Sequence, residues 1–148
     1  MTRKIFAAFA AVLVSAVAVV ANAGVADAST QLNVSCTADG GYTLRASVWY
    51  TTPSATTHHW TGSSFRLYGN HRNENNFDMW VYAGGKVYAH RGAGNIAGEF
   101  TYTSTAYPDF ALNVNTPSYL ADEHVSFTAV FDEAGPGDPR CSAYTPNI

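Results

Sequence analysis

The sequence predicts an all-β domain, an antiparallel β-sandwich of immunoglobulin-like or jelly-roll-like type built from about nine short strands. Three observations carry this. The stretch His124–Asp132 alternates residue by residue. Val125, Phe127, Ala129 and Phe131 face one way; His124, Ser126, Thr128 and Asp132 face the other, with Val130 the only apolar residue among them. Period 2 with aromatic and β-branched residues marks a half-buried strand. Shorter alternations recur along the chain, separated by Gly, Asn, Pro and Ser, which is the spacing of a sandwich or barrel. Lastly, one of only two cysteines, Cys36, lies near the start of this region and the other, Cys141, near its end.

The chain opens Met1-Thr2-Arg3-Lys4 and then runs apolar from Ile5 to Ala21, broken only by Ser15. A basic start, an apolar run and small residues at a cut site describe a secretory signal peptide. Two Ala-x-Ala sites follow, ending at Ala23 and Ala28. The second is preferred, because it leaves only Ser29 and Thr30 before the first strand. The run is short for a spanning helix, which wants about 20 apolar residues. The expected domains are therefore a leader over 1–28 and one β-sandwich domain over 29–148, a secreted protein with no membrane contact after cleavage.

Residues 29–148 carry six basic side chains (Arg45, Arg66, Arg72, Lys86, Arg91, Arg140) against ten acidic ones, a net charge of −4 with neutral histidines. That balance argues against nucleic acid, which needs a basic face, and against an anionic membrane surface. Two cysteines in an exported domain read as one disulfide, Cys36–Cys141.

The strands follow in order. Gln31–Thr37 is the first, and Asp39-Gly40-Gly41 turns the chain. Tyr42–Thr51 puts Leu44, Ala46, Val48 and Tyr50 on one face and Arg45, Ser47 and Trp49 on the other. Thr52–Gly62 reads as a polar loop around Pro53. Ser64–Tyr68 is a short strand with Phe65 and Leu67 inward. Gly69–Asn76 is a second polar loop. Phe77–Tyr82 sets Phe77, Met79 and Val81 against Asp78, Trp80 and Tyr82. Gly84-Gly85 then turns into Lys86–Arg91, the clearest hairpin in the chain. After a turn at Gly92–Asn95 come Ile96–Ser104 and, past Tyr107-Pro108, Asp109–Asn115. A connection from Thr116-Pro117 holds at most one helical turn and leads into His124–Asp132. The acidic loop Asp132–Pro139 precedes the last strand, Arg140–Tyr144. In true antibody-type domains the paired cysteines flank a buried Trp at intermediate spacing; here they stand at opposite ends.

Catalytic signatures are absent: no Gly-x-Ser-x-Gly, no Ser-x-x-Lys, no phosphate loop and no paired carboxylates. The five histidines (His58, His59, His71, His90, His124) lack zinc-ligand spacing. Asp132-Glu133-Ala134-Gly135-Pro136-Gly137-Asp138 offers carboxylates to calcium but not the EF-hand spacing, and reads as a solvated turn. Neither a metal nor a cofactor is expected. Asn33-Val34-Ser35 has the form of a glycosylation acceptor, to which no role is assigned behind a leader of bacterial type.

Aromatics are the informative excess: three Trp, nine Tyr and six Phe in residues 29–148. Phe65, Phe77, Phe100, Phe110, Phe127 and Phe131 are the expected core. Trp49, Trp80, Tyr82 and Tyr88 lie on polar-looking faces, and Trp60 stands in a polar stretch beside two histidines. Exposed Trp and Tyr can stack on sugars or anchor a protein. The expected function is that of a small secreted, non-enzymatic binding module for extracellular polysaccharide, cell-wall material or a protein. The alternatives are a structural envelope or surface protein without a defined ligand and, further off, a secreted hydrolase or toxin. The expected site joins the two polar loops: Trp60 as anchor with His58, His59, Asn70, His71, Arg72 and Trp80.

Overall fold

The computed structural model describes residues 28–69, 72–96, 101–103 and 111–148. Residues 1–27 of the expected leader over 1–28 lie outside the described residues, as do the expected core residues Phe100 and Phe110.

Nine strands form two antiparallel sheets. They are β1 (Thr30–Thr37), β2 (Thr43–Ser54), β3 (Thr57–Tyr68), β4 (Asn75–Ala83), β5 (Lys86–Ile96), β6 (Thr101–Thr103), β7 (Val114–Pro117), β8 (His124–Val130) and β9 (Arg140–Tyr144). The first sheet runs β1-β2-β3, with β6 and β7 pairing different stretches of β3. The second runs β5-β4-β8-β9. Since β6 and β7 share one position, each sheet is four strands wide, giving eight strand positions rather than nine. Two strands are also longer than expected, at 12 residues each.

The added length lies in β2 and β3, across the stretch expected to be a polar loop. Thr51 pairs His59 and Ser54 pairs Thr57, so Thr52 and Pro53 sit in an irregularity of the ladder. A bulge is where a strand tolerates proline, because no ladder N–H is needed there. A second irregularity matters more. Trp49 pairs Gly62 while Tyr50 pairs Trp60, which leaves Thr61 as an extra residue. That residue shifts the alternation by one place, so Trp60 and Phe65, five apart, both face inward. The expected turn at Gly92–Asn95 is likewise part of β5. At the β4–β5 hairpin, Gly84 and Gly85 both take positive φ (56° and 71°), the backbone a two-residue turn of this type demands.

The core lies between the sheets. Leu44, Val48, Trp60, Phe65 and Leu67 meet Phe77, Met79, Val81, Val125, Phe127 and Phe131, all essentially without exposure. Phe65 stacks on Phe77 across the interface, with ring centroids 3.6 Å apart. The disulfide Cys36–Cys141 joins β1 to β9, the edge strands on one side of the sandwich, across 105 residues of sequence. On β8 the outward Ser126 and Thr128 are nevertheless buried, because β4 and β9 flank the strand; Thr128 Oγ1 and Ser142 Oγ share a hydrogen bond of 2.8 Å.

Two stability measurements follow. Phe127→Ala should cost about 3–5 kcal/mol through lost burial and a cavity, read as a fall in the denaturant midpoint. The double variant Cys36→Ser/Cys141→Ser should cost about 4–5 kcal/mol in the chain-entropy picture of so long a loop, read in the same titration.

Candidate binding face

The structure separates the residues expected to form one site. Trp60 is wholly buried and is no surface anchor. Its indole N–H donates to Thr116 Oγ1 (2.9 Å) and to Glu123 Oε1 (3.1 Å). His58, with only 12% of its side chain exposed, donates from Nδ1 to Glu123 Oε2 at 2.7 Å. Thr116 Oγ1 donates to Glu123 Oε1 as well. The carboxylate of Glu123 thus has no solvent contact and three side-chain donors from β3 and β7, as a buried charge requires. A histidine held by a carboxylate is also a feature of active sites. Here its surroundings are Tyr50, Trp60 and Thr116, and the geometry supports a role in satisfying Glu123.

His59 points to the other side of β3, where Nε2 lies 3.0 Å from Asn113 Oδ1. Arg72 stands at the far end of β3, its backbone N–H bonded to Asp132 O at 2.9 Å. Trp80 is on the outer face of the second sheet, stacked on His90 at 4.9 Å. Asn70 and His71 lie outside the described residues. The described members of the expected site therefore occupy the core, opposite ends of β3 and the far sheet. The sequence reading failed at the Thr61 bulge, which turns Trp60 from a loop aromatic into a core one. In the acidic loop, Asp138 Oδ1 accepts from the Glu133 N–H at 3.3 Å, an internal use of the carboxylate. Among the described residues no group of three or more His, Cys, Asp or Glu side chains is placed to hold a metal ion.

What the fold does assemble is the outer face of β1, β2 and β3. Register places Thr37, Thr43 and Tyr68 in one row across the strands. The next rows are Ser35, Arg45 and Arg66, then Asn33, Ser47 and Ser64, then Gln31, Trp49 and Gly62. The face is hydroxyls, amides and guanidiniums, with Tyr68 at one end and Trp49 at the other. Its polar groups are partly tied together: Ser47 Oγ and Gln31 Nε2 both donate to Asn33 Oδ1 (2.7 and 2.8 Å), and the hydroxyls of Thr37 and Thr43 are 3.1 Å apart. A depression of about 390 Å³ lies on it, lined by Asn33, Ser35, Arg45 and Ser47 over the backbone of Val34 and Ala46. Trp49 is half-buried, and Gly62 across from it has no side chain. Among the described residues the Trp49 indole N–H meets no acceptor and its ring stacks on no other.

The sequence holds part of this signal. Arg45, Ser47 and Trp49 stand together on the polar side of β2, but their neighbours Arg66, Tyr68, Asn33 and Ser35 join them only through strand register. A second recess, about 320 Å³, opens between the β5 and β7 edges beside Thr57, Tyr88, Asn115 and Tyr119. No protein-family model, no curated protein and no solved structure matches the chain.

Removing the buried carboxylate tests the network under β3. Glu123→Ala should cost about 3–5 kcal/mol of unfolding free energy, since it strands the donors of His58, Trp60 and Thr116. Guanidinium titration followed by Trp fluorescence reads this directly.

Proposed function

We propose that this domain is a small secreted, non-catalytic module that binds an extracellular polysaccharide across the outer face of β1, β2 and β3. The observation that carries this reading is the composition of that face. Hydroxyls and amides line a shallow depression, as sugar hydroxyls require, and the Trp49 ring stands at one end for stacking on a sugar ring. A rigid sheet presents these groups without loops to order on binding, which lowers the entropy cost of association. The signal-like start of the chain and the disulfide support an extracellular setting.

Trp49→Ala tests the reading. Against a panel of immobilised extracellular polysaccharides, it should weaken the binding seen with the unaltered protein by about 2 kcal/mol or more. The melting temperature should stay nearly unchanged, because Trp49 lies outside the core. Trp49→Ala binding as tightly as the parent would remove the face from the argument.

A further inference from the structure

Arg45 and Arg66 are direct cross-strand partners on this face, and both are exposed. Like charges placed opposite one another on a sheet repel. Such a pair is ordinarily relieved by a carboxylate. Among the described residues neither guanidinium meets one, and none of their N–H groups meets an acceptor. What the two share is the ring of Tyr68, whose centroid lies 5.2 Å from Arg45 Cζ and 4.7 Å from Arg66 Cζ. A cation–π contact steadies each cation without using any of its five N–H donors. Among the described residues the pair is thus gathered, held and without a carboxylate partner.

Charge is also segregated. No residue in the four rows of this face is acidic. The described acids lie on the outer face of the second sheet (Asp78), in turns and loops at the ends (Asp39, Glu74, Asp122, Asp132, Glu133, Asp138), or in the core (Glu123). Among the described residues a cationic face is therefore set on a stretch, 29–148, of net charge −4, and on it two of the six basic side chains of that stretch are juxtaposed. Arg45 also lines the depression with Asn33, Ser35 and Ser47, so the cationic and hydroxyl-binding parts are continuous.

We propose that the ligand of this face is an acidic polysaccharide, with the carboxylate of a uronic acid residue held by Arg45 and Arg66. The neighbouring sugar hydroxyls lie over Asn33, Ser35 and Ser47. The planar guanidinium fork matches a planar carboxylate through two parallel N–H···O bonds. This inference rests on the polysaccharide reading above and adds the charge of the sugar.

Affinity electrophoresis and calorimetry of the secreted protein with polygalacturonate, a neutral galactan and dextran sulfate test it. Polygalacturonate should bind at least about tenfold more tightly than galactan. R45Q and R66Q should each weaken it by about tenfold, and R45K/R66K should restore it only in part, since lysine keeps the charge and loses the fork. R140Q, on the outer face of the other sheet, should leave binding unchanged, and thermal melts should show every variant folded. Polygalacturonate binding that survives R45Q/R66Q would overturn the inference, as would dextran sulfate binding as tightly through the same two arginines. Galactan bound through Trp49 with no effect of the arginine variants would overturn this inference and leave the polysaccharide reading standing. Binding to none of the three polymers would overturn both.

Discussion

One buried charge governs an entire end of the sandwich. The carboxylate of Glu123 has no exposure, and such a group is tolerated in a protein interior only when donors surround it. Those donors come from His58 and Trp60 on β3 and Thr116 on β7. The backbone of Glu123 is used too, its carbonyl accepting from the Ile148 N–H at 3.1 Å. A four-residue edge strand, the far half of β3 and the segment after β9 are thus held in one arrangement. The Thr61 bulge belongs to the same constraint. Without the extra residue, the period-2 rule would turn His58 and Trp60 away from the core and leave Glu123 without two of its donors.

With the interior fixed, the two outer faces have diverged. On the second sheet the rings cover one another: Trp80 on His90, Tyr82 on His124, and His124 against Tyr144. On the first sheet the long side chains are two arginines around one tyrosine, and the small ones are hydroxyls and amides. The three tryptophans show the difference. Trp60 has both its faces and its N–H satisfied inside, and Trp80 has one face occupied by His90. Among the described residues the Trp49 ring stacks on no other and its indole N–H meets no acceptor. A large amphipathic side chain left in that condition on a rigid sheet is suited to contact with a ligand.

The sequence made some of this legible and hid the rest for identifiable reasons. The alternation of His124–Asp132 located Phe127 and Phe131 in the core, and two cysteines near the ends of the domain indicated the clasp between edge strands. The polarity of Thr57, His58, His59 and Thr61 concealed a strand. Pairing with β2 and β7, together with the network around Glu123, outweighs the absence of apolar alternation there. Pro53 concealed it further, since a proline ends a regular strand and the bulge that accommodates it leaves no local mark. The Arg45–Arg66 pair could not be seen at all. The two arginines stand 21 positions apart in the chain, and only the register of β2 on β3, offset by the Thr61 bulge beyond Gly62, sets one opposite the other.

That register also reconciles an acidic domain with a cationic face. Net charge decides long-range attraction, and the −4 of residues 29–148 gives no steering toward a polyanion. At physiological ionic strength, however, exposed charges are screened beyond about 8 Å, while packed sheets stand about 10 Å apart. Asp78, outside the second sheet, therefore lies beyond the range over which it could offset Arg45 and Arg66. Within the four rows of the first sheet, a ligand meets the arginines with their hydroxyl and amide neighbours and no carboxylate. Recognition on this face is a contact property, set by which side chains share a row of the sheet and not by the charge of the whole chain.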